Sequence, residues 1–263
     1  MTAKNSDSAD SAVRPELQRL ELLLGKTALA VLEQTRVIVV GLGGVGSWAA
    51  EALVRSGLGY ITIVDNDIVC LSNINRQIEA LPAAVGLPKA EALASRLLEI
   101  NPRCKVSAFN QKFSLETAHL FEITKADYII DAIDSFPHKI NLIELCGAKA
   151  RLFSSMGMAQ KLDPTRIKTA DIWSTRGCPL ARLVRQELRK RGYKGNFTAV
   201  YSDEQLEHNG EIQYETGKNG KKIINGSVVT VTAAAGMVLA SLVIQDIIYK
   251  ANSSITEGII PHG

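Results

Sequence analysis

The chain has 263 residues, 46% apolar and 22% charged, which excludes disorder or a repetitive fibre and leaves room for one large domain or two small ones. Thirty lysines and arginines against 27 acids give a net charge of only +3, so a nucleic-acid partner has to be met by a local basic patch. The four cysteines (Cys70, Cys104, Cys146, Cys178) lie far apart, which rules out a sequence-local zinc knuckle and does not suggest a disulfide framework.

The first 13 residues are polar, without the apolar stretch of an export signal; a disordered tail on a cytoplasmic protein is expected. Arg14 to Gln34 reads as one helical arm, with Leu17, Leu20, Leu24 and Leu29 near helical spacing. Arg36–Val40 is a short β-branched run, the pattern of a strand buried on both faces. A glycine-rich turn, a helix over about 47–56 and a strand over 60–64 follow. The alternation continues with a helix over 89–100 stopped at Asn101-Pro102, strands at 106–109 and 128–130, a helix over 138–148 and a strand at 151–155. Strands alternating with helices predict right-handed crossovers and an α/β fold with a doubly wound, mostly parallel sheet.

The second half is less regular and predicts a smaller mixed part. Pro179–Arg191 reads as a strongly basic helix and 198–202 as a strand, while 208–226 carries three Asn-Gly pairs that favour tight turns or a mobile loop. Val228–Ile244 is uncharged; with Thr230, Thr232 and Gly236 inside it and Gln245 and Asp246 closing it, it reads as a buried strand and helix, a membrane contact being the alternative.

The strongest local signal is Gly41-Leu42-Gly43-Gly44-Val45-Gly46, directly after a strand and opening a helix. Glycine lets the backbone turn and approach a ligand, and a helix N-terminus offers free N–H groups to phosphate. Asp65 closes the next strand 19 residues after Gly46, where an acid binds ribose hydroxyls. A second polar cluster follows, Asp65 to Gln77, and Lys89 comes thirteen residues after Arg76. Two cations aimed at one glycine loop suit a triphosphate better than the pyrophosphate of a dinucleotide. A third element, Asp131-Ala132-Ile133-Asp134, ends an apolar strand. A carboxylate among phosphates is repulsive unless it holds a metal, so Asp134 is the candidate Mg²⁺ ligand, a helix cap being its alternative role, and Asp131 a structural acid.

On Gly41–Gly46, Asp65, Asp67, Asn73, Arg76, Gln77, Lys89 and Asp134, the chain resembles the ThiF/MoeB-like adenylating family, which includes the ubiquitin-activating enzymes and the molybdopterin-synthase and thiazole-pathway adenylyltransferases. It is most similar to the branch that dehydrates threonylcarbamoyladenosine in transfer RNA, through 19–26, 73–78, 162–166 and 178–181. The resemblance implies a Rossmann-like single domain over 14–250, with a nucleotide-binding half at about 36–160, a substrate and dimer half at about 161–250, and a tail at 251–263. It implies ATP, Mg²⁺ and, as a further candidate, a monovalent cation. Gly41, Gly43, Gly44, Gly46, Asp65, Asp67, Asn73 and Gln77 would line the nucleotide, with Asp65 on the ribose, and Asn73, Arg76 and Lys89 would take the triphosphate. The active form would be a homodimer in which an N-terminal arginine of one subunit, Arg19 or failing it Arg14, reaches the other's ATP; a sulfur-relay protein is a further candidate partner.

Two absences separate the branches. The chain lacks the two Cys-x-x-Cys pairs of sulfur-carrier adenylyltransferases and has no room for the cysteine domain of ubiquitin-activating enzymes. Cys178, before a predicted helix start, reads as a structural cysteine rather than a reactive one. A transfer-RNA substrate needs phosphate contacts, and Arg176 to Lys194 holds seven cations against one acid, Glu187. Arg182, Arg185 and Arg189 share one helix face, with Lys190 and Arg191 beside it; a solvated basic face is the competing reading. Three functions stay open: the dehydratase, an adenylyltransferase of a ubiquitin-like sulfur carrier, and a nucleotide-binding or redox protein without adenylating activity. The chain departs from the family at Met156-Gly157-Met158-Ala159, where the resemblance implies a glycine-rich stretch; the bulkier residues either narrow the floor of the site or are a neutral variant.

Overall fold

The structure, a computed structural model, describes residues 14–147, 151–205, 214–217, 220–223 and 225–257, leaving side chains at 214–223 and 252–257 aside. The expected tail at 1–13 and Asn209-Gly210 lie outside the described residues.

Seven strands form the central sheet: β1 (Arg36–Val40), β2 (Tyr60–Asp65), β3 (Lys105–Asn110), β4 (Tyr128–Asp131), β5 (Arg151–Ser155), β6 (Ile167–Asp171) and β7 (Thr198–Ser202). Their order is β3-β2-β1-β4-β5-β7-β6, parallel except for β6, which runs antiparallel to β7. β1 is buried from Val37 to Val40, as its β-branched run requires between two helical layers. Alternate residues feed two cores. One contains Val37, Val39, Ile61, Ile63 and Phe153 beneath helices α2 (Lys26–Gln34), α3 (Gly46–Arg55), α4 (Lys89–Ile100) and α7 (Val229–Glu257). The other contains Ile38, Val40, Ile129 and Leu152 beneath α5 (Phe136–Cys146) and α6 (Pro179–Lys190). The winding reverses between β1 and β4, and at such a switch point the connections diverge and leave a crevice at the carboxyl edge.

Three expectations need correction. The arm is not one helix: Pro15–Leu17 forms a 3-10 turn, α1 spans Gln18–Leu24, and Gly25 at φ +81° breaks the chain before α2. β6 was not foreseen, because it is a half-exposed edge strand without an apolar run. The segment from Val228 contains no strand, for α7 runs unbroken from Val229 past Lys250 to Glu257. Its Val231, Ala235, Leu239, Val243, Ile247 and Ala251 form a buried stripe of four-residue spacing. Gly236 lets it cross α3 closely: a Cβ there would stand 2.5 Å from the Val45 carbonyl oxygen and 2.8 Å from Trp48 Cβ. The helix is long and apolar enough to cross a membrane, yet half of that window is buried against the protein. Asp246 ties it to the sheet through Arg151 at 3.0 Å and the Tyr128 hydroxyl at 2.8 Å. Part of the Asn-Gly-rich region is a hairpin, β8 (Tyr214–Gly217) against β9 (Gly220–Ile223).

Candidate nucleotide site

The glycine loop starts where β1 ends. Gly41 donates to the Val64 carbonyl at 2.9 Å, and Ala132 donates to the Val40 carbonyl at 2.9 Å, so the loop is held between the ends of β2 and β4. Its glycines serve different ends. Gly41 adopts φ +90°, and a Cβ on it would lie 2.6 Å from the Ala132 carbonyl oxygen. On Gly46 a Cβ would lie 1.9 Å from the Gly41 carbonyl oxygen, because the helix start folds back over the strand end. These two are demanded by the fold. Gly43 is not: a Cβ there meets no atom nearer than Gln77 Nε2, at 3.9 Å. Gly44 is intermediate, facing Thr232 of α7 and the Arg76 stem at 3.0 and 3.2 Å.

Asp65 organises the floor. Its carboxylate accepts from the N–H of Leu42 at 2.7 Å and of Asp67 at 2.8 Å. Burial pushes the carboxyl up, against the pull of Lys89 and of those two N–H donors. The chain from Asp67 to Pro88 then folds back on itself. Val69 donates to the Leu87 carbonyl, Gly86 donates to the Val69 carbonyl, and the Lys89 N–H reaches the Asp67 carbonyl at 2.9 Å. Lys89 thus opens α4 beside Asp67, its buried ammonium 2.9 Å from the Asp67 carboxylate. Within the fold-back, the buried Asn73 side chain accepts from the Cys70 N–H at 3.0 Å and braces the turn that carries Arg76. The Arg76 guanidinium lies half-buried, donating to the Ser72 carbonyl and Asn75 Oδ1, and its backbone carbonyl accepts from the Trp48 indole at 2.9 Å. Gln77 is buried beside Gly43.

The structure therefore brings together the predicted Gly41, Gly43, Gly44, Gly46, Asp65, Asp67, Asn73, Arg76, Gln77 and Lys89. Asp134 follows β4 on an exposed part of the same edge, two residues beyond Ala132, which touches the glycine loop. Asp131 is a structural acid. It is fully buried, paired to Lys139 of α5 at 2.6 Å, bonded by the Ser154 hydroxyl and capped by the Ile133 N–H. Lys139 also donates to the Ser155 carbonyl, so one buried lysine locks the ends of β4 and β5 together. Lys139 was missed in the sequence although an Asp at a strand end and a Lys eight residues on are visible there; a second missed residue, Glu79, is buried near Lys89.

Arg19 lies exposed on α1. Arg14 is engaged with Glu16 and Glu33 and lies near Asn101, towards the amino-terminal edge of the sheet and away from the glycine loop. Met156 and Met158 are buried in the cores on opposite faces of the sheet, so they pack as side chains of the fold rather than filling the floor of the site. Cys178 is buried at the start of α6.

The basic helix α6 buries Ala181, Val184 and Leu188. Its first turn reaches the carboxyl edge of the sheet, where Leu180 Cβ would lie 3.6 Å from a Cβ on Gly157. The cations are not equivalent. Arg182, Arg189 and Lys190 are exposed, the Arg189 guanidinium lying over the Trp173 ring. Arg185 is half-buried and donates to the Thr175 hydroxyl, and Arg191 is held by Glu187 and Glu144 at 2.8 Å each.

A parallel sheet with a glycine loop and two cations at its switch point defines a nucleotide-binding α/β protein of the doubly wound class. The chain belongs to the ThiF family, whose profile matches residues 16–260. A tRNA threonylcarbamoyladenosine dehydratase of Bacillus subtilis (strain 168) is 40% identical over 240 residues, 89% of this chain and 94% of the relative. The crystal structure of Escherichia coli tRNA N6-threonylcarbamoyladenosine dehydratase, TcdA, in complex with ATP superposes with a TM-score of 0.82 at 36% identity, covering 92% of this chain and 98% of that one. A probable molybdopterin-synthase adenylyltransferase of Porphyra purpurea is 41% identical over only 116 residues, 44% of this chain.

Proposed function

We propose that the protein is an ATP-dependent dehydratase that cyclises N6-threonylcarbamoyladenosine next to the anticodon of transfer RNA. The observation that carries the nucleotide part is Gly43: the fold leaves space at its Cβ position, where the nearest side-chain atom is Gln77 Nε2 at 3.9 Å, and the Arg76 stem stands over the next residue, Gly44. A glycine that the protein does not need for its own packing is explained by a ligand whose phosphates lie on the backbone. The relatives matched along nearly the whole chain are dehydratases, whereas a carrier-type adenylyltransferase matches less than half of it; this favours the dehydratase.

In this reading the loop amides of Gly43–Gly46 and the start of α3 receive the phosphates, and Asp65 holds the ribose. Arg76 and Lys89 neutralise the triphosphate, with Asp67, Asn73 and Gln77 shaping the pocket. The threonine carboxylate attacks the α-phosphate and pyrophosphate leaves. The carbamoyl group of the same nucleoside then attacks the acyl-adenylate, closes the ring and expels AMP; one water is lost overall. Two anions must meet, so charge neutralisation and alignment are the main tasks, and internal capture needs no side-chain nucleophile. Among the described residues no group of three or more potential ligands could cage a metal by itself. Mg²⁺ binds through one or two carboxylates together with substrate phosphates; Asp134, at the carboxyl end of β4, would hold it, and it would supply charge to the phosphates when bound. A monovalent cation has no comparable support in the donor set.

The protein would act as a cytoplasmic homodimer, Arg19 being supplied to the partner's ATP. The arm supports this, for α1 turns Leu22 and Leu23 to solvent at 83% and 80% exposure, a pair suited to cover by a second subunit. A sulfur-relay partner has no support in the described surface.

The direct test incubates protein, ATP, Mg²⁺ and modified transfer RNA and weighs the digested nucleosides. Loss of one water is expected with the wild-type chain and is expected to vanish with Arg76→Ala. Pyrophosphate release triggered only by a carrier protein would replace this reading with the adenylyltransferase. For the RNA contact, Arg182 and Arg189 lie seven residues apart on one exposed face of α6. Charge reversal of both to Glu is expected to weaken transfer-RNA binding and to lower the slope of log K against log salt by about 2, the loss of two phosphate contacts. An unchanged slope in filter binding would remove α6 from the RNA surface.

A further inference from the structure

The nucleotide pocket contains a carboxylic acid for which the reaction has no use. Glu79 is 3% exposed, and neither carboxylate oxygen has a hydrogen-bond partner among the described residues. A buried charge left without partners is costly, so such a group calls for an explanation. Two residues earlier, the buried Gln77 has an equally unpartnered Oε1 while its amide nitrogen lies beside Gly43. Two orphaned polar groups thus lie two residues apart, Gln77 beside the glycine loop and Glu79 near Ser47, Asp65 and Lys89.

The groups around Glu79 come from three elements. From α3, the Ser47 hydroxyl lies nearby but is given to the Gly43 carbonyl at 2.8 Å, and Glu51 is occupied by Arg55 and Arg96. From the end of β2 comes the Asp65 carboxylate, with Asp67 just beyond it. From α4 come Lys89, already bonded to Asp67, and Arg96, already bonded to Glu51. One pocket ammonium therefore faces Asp65, Asp67 and Glu79. With all three ionised, the pocket opposes a polyanion. Burial pushes the Glu79 carboxyl up to about 7, and the nearby Glu79 N–H, Lys89 ammonium and Ser47 hydroxyl only partly offset it, so a proton is available there at neutral pH.

We propose that Glu79 is a positioning residue for Lys89: neutral, it lets the ammonium leave Asp67 for an incoming triphosphate, and ionised, it restrains the ammonium and adds a charge that repels phosphate. ATP binding is then coupled to uptake of one proton from solvent onto a Glu79 oxygen. The inference rests on the reading of the pocket as an ATP site. The sign follows from the direction of the shift. The free site holds the proton below about 7. Bound phosphate raises the carboxyl further, so affinity is flat at lower pH and falls as pH rises above neutrality.

The test is calorimetry of ATP binding with excess Mg²⁺ and no transfer RNA, at several pH values between 6.5 and 8.5 and in two buffers of different ionisation heat. For the wild-type chain, an uptake approaching one proton per ATP is expected above neutrality, with affinity falling up to about tenfold per pH unit. Glu79→Gln is expected to bind without this proton and with affinity constant within about twofold over the range, a pattern that a merely structural role would not produce. Zero uptake or proton release by the wild-type chain overturns the proposal, and this outcome needs no variant to fold. An equal proton count in Glu79→Gln also overturns it. Absence of ATP binding at every pH would instead overturn the ATP reading itself.

Discussion

Gly43→Ala and Gly46→Ala are expected to fail in opposite ways. A Cβ on Gly43 meets nothing of the protein within ordinary contact except Gln77 Nε2 at 3.9 Å, so urea unfolding of Gly43→Ala should match the wild type within about 0.5 kcal/mol. Its ATP affinity should fall by about 100-fold, equivalent to roughly 3 kcal/mol, because the new methyl occupies the surface on which a phosphate would lie. In Gly46→Ala the Cβ would stand 1.9 Å from the Gly41 carbonyl oxygen, and both atoms belong to a loop pinned between β2 and β4. Backbone must move, with an expected stability loss of about 3 kcal/mol or more. Unfolding and ATP binding measured side by side separate the two; equal loss of stability in both variants would deny Gly43 its place against a ligand.

Lys139→Met is expected to be the most damaging single change outside the pocket. The Lys139 ammonium and the Asp131 carboxylate are both fully buried and 2.6 Å apart, and each is further bonded to the strand ends. Removing one partner leaves a buried charge without its counterion, a loss of about 3–5 kcal/mol. The double variant Asp131→Asn, Lys139→Met should be less destabilised than Lys139→Met alone, because no unpaired ion remains. Denaturant unfolding of the three proteins measures this. Because Asp131 also receives the Ile133 N–H, the loop leading to Asp134 should loosen in Lys139→Met, and ATP turnover should fall by more than the fraction of unfolded protein explains.

Much of the architecture was legible because parallel strands buried on both faces leave continuous β-branched runs. Arg36–Val40 lies where its β-branched run places it, and Arg151–Ser155, Thr198–Ser202 and the helix Lys89–Ile100 have the bounds that the alternation of apolar segments predicts. The illegible parts have physical causes. β6 is a half-exposed edge strand with no apolar signature, and the Val- and Thr-rich start of α7 carries the composition of a strand, overruled by packing of a four-residue stripe on α3. Gly25 was visible, but that it divides the arm depends on its positive φ.

The local pattern alone determined the glycine loop, the acid at the end of β2, the two cations and the basic helix, since each is a short segment whose chemistry lies in its residue types. Only the tertiary structure decided which of these groups act together and which are already engaged. The fold-back from Asp67 to Pro88 brings Lys89 to Asp67, Arg185 and Arg191 are drawn into bonds of the fold, and Asp131 finds Lys139. Above all, the isolation of Glu79 is a property of its surroundings. A carboxylic acid reads the same on a surface as in a core, and only burial without partners makes it costly enough to keep a proton at neutral pH.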